Sequence, residues 1–213
     1  LPAVEMLARE ADLEIEDFAN LPAVSRRLVE DAELPVYDPG SFLRPFLAPW
    51  SDHFQIIDQE DKAVGPHIRV DYRLEAAGHP EALVMRPKIL ALGLGCHKGL
   101  PPQALESFVK TRLREASLAE KSVAVLATVE IRRDEPAMTA LSQAFNRPLI
   151  IYTKAELESV ATPNPSATVL RRIGVPSVCE AAALLAAGAD QLLIDKQKSD
   201  GCTLAAAILS QPD

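Results

Sequence analysis

Residues 93–99 read GLGCHKG and follow the apolar run ILAL at residues 89–92. Three glycines, a thiol, an imidazole and an ammonium thus fall within seven residues at the carboxyl end of an expected strand. Three chemistries come into question: a phosphate cradle, a metal site, or a grip on some other anion. The phosphate cradle fails because a P-loop places Ser or Thr directly after its Gly-Lys pair. The dinucleotide fingerprint fails too: its third glycine is missing, and the acids of ATVEIRRDE lie nearly forty residues after Gly93, against about 20 for a ribose contact. Gly93 and Gly95 still permit close backbone approach, and the helix that follows aims free N–H groups into the same crevice, which suits a carboxylate. A glycine-rich turn that merely joins strand to helix is the alternative. His97 is a candidate general acid or base near neutrality. Cys96 precedes it directly, so on extended backbone the two side chains diverge, and Cys96 reads better as a buried small hydrophobe than as a nucleophile paired with His97. Lys98 either faces solvent or neutralises a ligand carboxylate. With no further ligands at zinc-like spacing, neither a metal nor a cofactor is expected.

Other groups need the right fold to matter. Glu130, Arg132, Arg133, Asp134 and Glu135 follow a predicted strand. Such a cluster is either solvated surface, with Asp134 capping the helix that opens at Pro136, or part of a ligand crevice if its strand neighbours that of GLGCHKG. Ser166 in TPNPSATVLRRIG stands at a predicted helix start. Asp195, Lys196, Lys198, Ser199 and Asp200 fall in an expected hairpin loop of about five residues, QKSDG. Glu180 opens the otherwise apolar helix VCEAAALLAAG; it is either a first-turn charge favoured by the helix dipole or a buried acid with a chemical role.

The elements that must position these groups fall into two parts, 1–87 and 88–213, divided near the RPK of residues 86–88. In the first, Val4, Leu7, Ala8 and Ala11 have helical spacing, PAVSRRLV suits a helix with Pro22 in its first turn, and LPVYDPG reads as a strand ended by a turn. SFLRPFLAPW reads as one irregular turn with Phe42, Phe46 and Trp50 inward. FQIID, HIRVDYRL and EALVMR follow as strands, the middle one alternating as a half-buried strand does. From residue 88 a dense β/α rhythm begins: ILALGL, SVAVLATV, PLIIYT, QLLIDK and CTLAAAIL as strands, with helices over PPQALESFVKTRLREA, PAMTALSQAF, KAELESV, PSATVLRRI and VCEAAALLAAG. The expected fold is α/β: a three-layer α/β/α domain with a mixed, mainly parallel sheet, preceded by a small α+β region.

Composition narrows the partners. The formal net charge of −8 is uneven, with 8 Lys plus Arg against 17 Asp plus Glu in residues 1–87 and 14 against 13 in residues 88–213. Neither part has the cationic excess of a nucleic-acid binder. No apolar run reaches the ~18 residues of a membrane span. Three widely spaced cysteines, Cys96, Cys179 and Cys202, read as free thiols in a cytoplasmic protein. The chain opens on a helical pattern without a methionine, which implies a preceding segment.

Four separated words, GLGCHKG, ATVEIRRDEPAM, NPSATVLRRIGVPSVCEAAALLAAG and DKQKSDGCTLAAAI, occur in the order found in the carboxyl-terminal domain of the CbiG family of cobalamin-biosynthesis proteins, which is similar to stand-alone CobE proteins. The resemblance runs from about Lys88 to Ile208, and residues 2–38 look like the stretch that leads into the family's central region. It implies part of a cobalt-precorrin-5A hydrolase, which opens the ring-A δ-lactone of a corrin precursor and releases acetaldehyde. The alternative is a non-catalytic corrinoid-binding or handover module. The implied partners are an anionic cobalt-precorrin and an amino-terminal domain preceding Leu1, without which the 213 residues are expected to be inactive. The family's motif positions fall on Gly93, Gly95, Cys96, Lys98, Gly99, Asp134, Glu135, Ser166, Glu180, Lys196, Lys198 and Ser199. Arg133 stands where relatives carry Lys, and Ala167 where they carry Glu. His97 and Glu180 are the candidates for proton transfer; the others are candidate contacts to a large, multiply anionic ring, which needs dispersed donors and cations beside apolar surface.

Overall fold

A computed structural model describes residues 2–30, 33–74, 79–163 and 177–210, and the chain forms two compact units, Leu1–Lys88 and Ile89–Asp213. In the first unit, strands β1 (Leu13–Ile15), β2 (Leu34–Tyr37), β3 (Phe54–Ile57), β4 (His67–Val70) and β5 (Ala82–Pro87) form one sheet in the order β1-β5-β4-β2-β3. Only β1 runs antiparallel to its neighbour. Helix α1 (Val4–Glu10) buries Val4, Leu7 and Ala8, the stripe its spacing predicts, and α2 (Leu21–Val29) carries Pro22 in its first turn, where a missing donor costs nothing.

The proline-rich segment after β2 is more ordered than a single irregular turn. Asp38 is 2% exposed, and its carboxylate accepts the backbone N–H groups of Phe42, Leu43 and Arg44 at 2.9, 2.8 and 2.9 Å. That anchor starts the short helix α3 (Arg44–Leu47), which runs into a 3-10 turn at Ala48–His53. Helical spacing puts Leu43 and Leu47 on the core side, whereas Phe42 and Trp50 are only partly buried and Phe46 is 38% exposed. The expected inward set of Phe42, Phe46 and Trp50 is corrected accordingly. β4 also departs from its half-buried reading, since all four residues are buried. Its polar face is roofed by Glu60, whose carboxylate meets the His67 ring at 3.1 Å and the Arg69 guanidinium.

The second unit holds β6 (Leu90–Cys96), β7 (Val123–Val129), β8 (Leu149–Tyr152), β9 (Ile194–Ser199) and β10 (Cys202–Ile208), ordered β8-β7-β6-β10-β9. β6, β7 and β8 are parallel, and β10 runs antiparallel to both of its neighbours. Helices α4 (Pro102–Glu115) and α5 (Pro136–Phe145) pack on each other, while α7 (Val178–Ala187), preceded by the short α6 (Lys154–Glu158), packs on β6, β7 and β10. The architecture is thus α/β, with a mixed, mainly parallel sheet here and a smaller α+β region before it. The helix expected over PSATVLRRI lies outside the described residues.

Two local features seat these layers. The Cβ that Gly93 lacks would fall 1.8 Å from the Cys179 carbonyl oxygen and 2.6 Å from the Ala183 nitrogen, so α7 lies directly on the strand. The hairpin loop is shorter than expected: β9 runs through Ser199, and Asp200 and Gly201 alone make the turn with φ of 46° and 80°. Positive φ at both positions is the primed-turn geometry that Asp-Gly favours. Lys196, Lys198 and Ser199 therefore lie on the strand. Among the described residues, no helix is long and apolar enough to cross a membrane.

Candidate functional site

The parallel strands β6 and β7 end at the edge where α4 and α5 begin, and the β9–β10 turn reaches the same edge beside β6. The exposed residues His97, Lys98 and Gly99 are held there from two sides. The His97 N–H donates to the Gly201 carbonyl at 2.9 Å, and the Gly99 N–H donates to Glu135 Oε2 at 3.0 Å. Gly99 has φ of +72°, a conformation that L side chains rarely adopt. Between this loop and the β7–α5 turn lies a cleft of about 520 Å³, lined by Lys98, Gly99, Ile131, Arg132, Asp134, Glu135 and Pro136.

Glu135 organises the cleft. It is 8% exposed, stands at the N-cap of α5, and turns its carboxylate toward Gly99 and, at 3.4 Å, the Arg132 guanidinium. Because Glu135 takes the cap position, Asp134 does not cap α5 as expected; it lines the cleft instead. Arg132 belongs to the charged cluster of the β7–α5 turn, yet nothing in the spacing singles it out from its neighbours. Its neighbour Arg133 is exposed.

The pleat divides the remaining candidates between the two faces of the sheet. Cys96 pairs in register with Cys202, and both are buried. Burial pushes the Cys96 thiol up to about 11, with Arg132 opposing the rise and Glu135 and Cys202 adding to it. Such a thiol is a weak nucleophile at neutral pH. Against the ordinary 9.0, a value of about 11 leaves roughly a hundredfold less thiolate at pH 8. Iodoacetamide labelling of Cys96 at pH 8, followed by peptide mass spectrometry, is accordingly expected to be at least about a hundredfold slower than that of a free thiol. Labelling at the free-thiol rate overturns this assignment.

On the α7 face, Glu180 is fully buried. Its Oε1 accepts the Lys196 backbone N–H at 3.2 Å. This bond lies where the pairing of β9 with β10 shifts register, between Leu204 and Ala206. A bulge leaves a backbone donor without a ladder partner, and Glu180 supplies an acceptor. Glu180 is thus a buried acid that braces β9. Gly93 and Gly95 are covered: α7 backbone fills the space beside Gly93, and Thr203 Oγ1, 2.5 Å from the missing Cβ, fills that beside Gly95. Both glycines serve packing, and Gly99 alone of the three opens on the cleft. The His97 ring lies against Gly201, 3.0 Å from the position of its missing Cβ. Lys198 is exposed, and the Ser199 hydroxyl donates to Asp200 at 2.7 Å. Ser166 lies outside the described residues.

The second unit is thus an α/β domain with a cleft between a glycine loop and a charged turn at the carboxyl edge of its parallel strands, where open α/β sheets commonly bind ligands. Comparison with known proteins gives the family. Residues 2–87 match the model of the cobalamin biosynthesis central region and residues 90–207 that of the cobalamin synthesis G C-terminus, so the chain belongs to the CbiG family. It is 34% identical over 127 residues to a cobalt-precorrin-5A hydrolase of Priestia megaterium, covering 60% of this chain and 34% of that protein. The chain thus spans about a third of that relative's length. It is 36% identical over 107 residues to Protein CobE of a Sinorhizobium species, covering 49% of this chain and 70% of that one. A crystal structure of CobE, a protein of the cobalamin (vitamin B12) biosynthetic pathway, matches with a TM-score of 0.53 and 31% identity over 60% of this chain and 94% of its own.

Proposed function

We propose that this chain is the central and carboxyl-terminal portion of a cobalt-precorrin-5A hydrolase, and that its second unit holds the anionic macrocycle while the ring-A δ-lactone opens and acetaldehyde leaves. The observation that carries this reading is the exposed loop His97–Gly99, fixed between the Glu135 turn and the Gly201 hairpin by one hydrogen bond on each side. Lys98, Arg132 and Arg133 sit at or beside the cleft as partners for peripheral carboxylates, and Lys198 stands on the hairpin. Lactone hydrolysis requires an activated water and a proton for the departing alkoxide. His97 is the exposed imidazole at this edge and takes the proton-transfer role; Glu180 acts through Lys196 as a positioning residue.

The test uses the complete protein with the cobalt-containing lactone precursor, following macrocycle binding and acetaldehyde separately. His97→Ala is expected to lower acetaldehyde release by about 10²–10⁴-fold with binding retained. An unchanged rate removes His97 from the chemistry. A second reading, a non-catalytic corrinoid-binding or handover module, draws support from the CobE structure, 94% of which is covered by the match. Binding without acetaldehyde by the 213-residue chain alone favours the module; product from that chain places the chemistry within these residues.

A further inference from the structure

The first unit contains a polar cluster that plays no part in the reading above. Glu60, His67 and His79 each offer one donor atom, and these atoms all lie within 4.8 Å of one another. Glu60 comes from a 3-10 turn, His67 from β4, and His79 from the segment before β5.

The hydrogen bonding of His67 gives the cluster its meaning. Its Nδ1 lies 2.9 Å from the Gly65 carbonyl oxygen. A carbonyl only accepts, so Nδ1 carries the N–H, and in the neutral ring the Nε2 lone pair faces Glu60 Oε1 at 3.1 Å. The side chains of His67 and Glu60 are only 3% and 6% exposed. Two buried acceptors do not face each other without a cation, either a proton on Nε2 or a metal ion. A second imidazole stands beside the same carboxylate. An imidazolium–carboxylate pair needs no further ring, yet His79 Nε2 lies 3.6 Å from Glu60 Oε2. Metal–donor bonds of ~2.0–2.1 Å in a tetrahedron separate neighbouring donors by ~3.3–3.4 Å. The two histidines approach the carboxylate from either side, His67 at 3.1 Å from Oε1 and His79 at 3.6 Å from Oε2, and one donor atom from each of the three residues lies within 4.8 Å of the other two, close enough to share one ion.

The surroundings fit as well. Ligating histidines commonly donate their other nitrogen to a backbone carbonyl, as His67 does, and ligating carboxylates are themselves hydrogen-bonded. Here Arg69 bonds Glu60 Oε2 and reaches Asp71 at 2.7 Å, which fixes the carboxylate. The His79 side chain is 35% exposed and supplies an entry path. Two imidazoles with one carboxylate suit a borderline-soft transition ion rather than Mg²⁺ or Ca²⁺, which prefer all-oxygen shells.

We propose that Glu60, His67 and His79 bind one divalent transition-metal ion of the Zn²⁺ class, with a further coordination position open toward solvent. The test takes the 213-residue chain without an affinity tag, strips it with chelator, and titrates Zn²⁺ by calorimetry and Co²⁺ by visible absorption. The expected result is one equivalent of Zn²⁺, a low-symmetry Co²⁺ d–d spectrum free of thiolate charge-transfer bands, and displacement of Co²⁺ by Zn²⁺. His79→Ala removes a half-exposed ring and should leave the fold intact by circular dichroism, yet weaken binding on the order of tenfold or more. Glu60→Gln is expected to do the same, and if that buried change unfolds the chain, His79→Ala decides. No stoichiometric binding by the folded chain, unchanged affinity in His79→Ala, or a thiolate-type Co²⁺ spectrum overturns the site.

Discussion

Gly93→Ala is expected to destabilise the second unit by at least about 3 kcal/mol, measured by urea denaturation followed by far-ultraviolet circular dichroism. The added methyl would lie 1.8 Å from the Cys179 carbonyl oxygen, 2.6 Å from the Ala183 nitrogen and 2.8 Å from the Cys179 carbonyl carbon. All three are backbone atoms, so no flexible side-chain end can swing aside. Relief requires α7 to retreat by roughly 2 Å, because carbon–carbon contacts settle near 3.5–4.0 Å. That retreat opens the packed layer of Ala91, Cys179, Ala183, Ala205 and Ala207, all of them buried. Its residues are small, and small residues have no reach with which to fill a widened gap. Gly99→Ala is the control: it meets no atom within 4 Å at a φ of +72°, so only the backbone term of about 1–2 kcal/mol remains. Equal stabilities for Gly93→Ala and the parent chain would mean that α7 is not seated on β6 as described.

The contrast between those two glycines shows where sequence reading stops. Composition at residues 93–99 reveals flexible backbone beside titratable groups, but the same glycine serves a helix contact or an open cleft according to what covers it. Gly93 and Gly95 were covered by residues from 179–183 and by Thr203, far away in sequence. The β/α rhythm after residue 88 and the helices with Pro22, Pro102 and Pro136 in their first turns were readable because apolar spacing and proline placement are local signals. From the sequence, Glu180 reads as either a dipole-favoured charge or a buried acid. It is buried, but its partner is a backbone N–H at a bulge, and bulges leave no reliable mark in a sequence. His67 and Arg69 show the opposite failure. Their alternation with Ile68 and Val70 predicts a wet face, whereas Glu60 covers that face with a carboxylate. No periodicity announces a roof built from another segment.

Asp38→Ala should cost the first unit about 3 kcal/mol, because one carboxylate satisfies three backbone donors and hydrogen bonds to charged groups contribute roughly 1.5–3 kcal/mol each without adding fully. The donors are the N–H groups of Phe42, Leu43 and Arg44, and the carboxylate is 2% exposed, so water does not replace it readily. Alanine leaves these donors unmatched at the start of α3, a helix of only four residues that has no other side-chain cap. Leu43 and Leu47, both core residues, depend on that helix for their direction. Losing the anchor therefore loosens their packing as well as the local bonds. Trp50 stands in the 3-10 turn that continues α3 and is the only tryptophan of the chain. Its fluorescence is expected to shift to the red in Asp38→Ala before global unfolding, and the urea midpoint read from it should fall. Asp38→Asn keeps one acceptor oxygen but replaces the other, and so should lose about half as much. A variant with the parent midpoint and an unshifted Trp50 spectrum would show that the turn forms without this carboxylate.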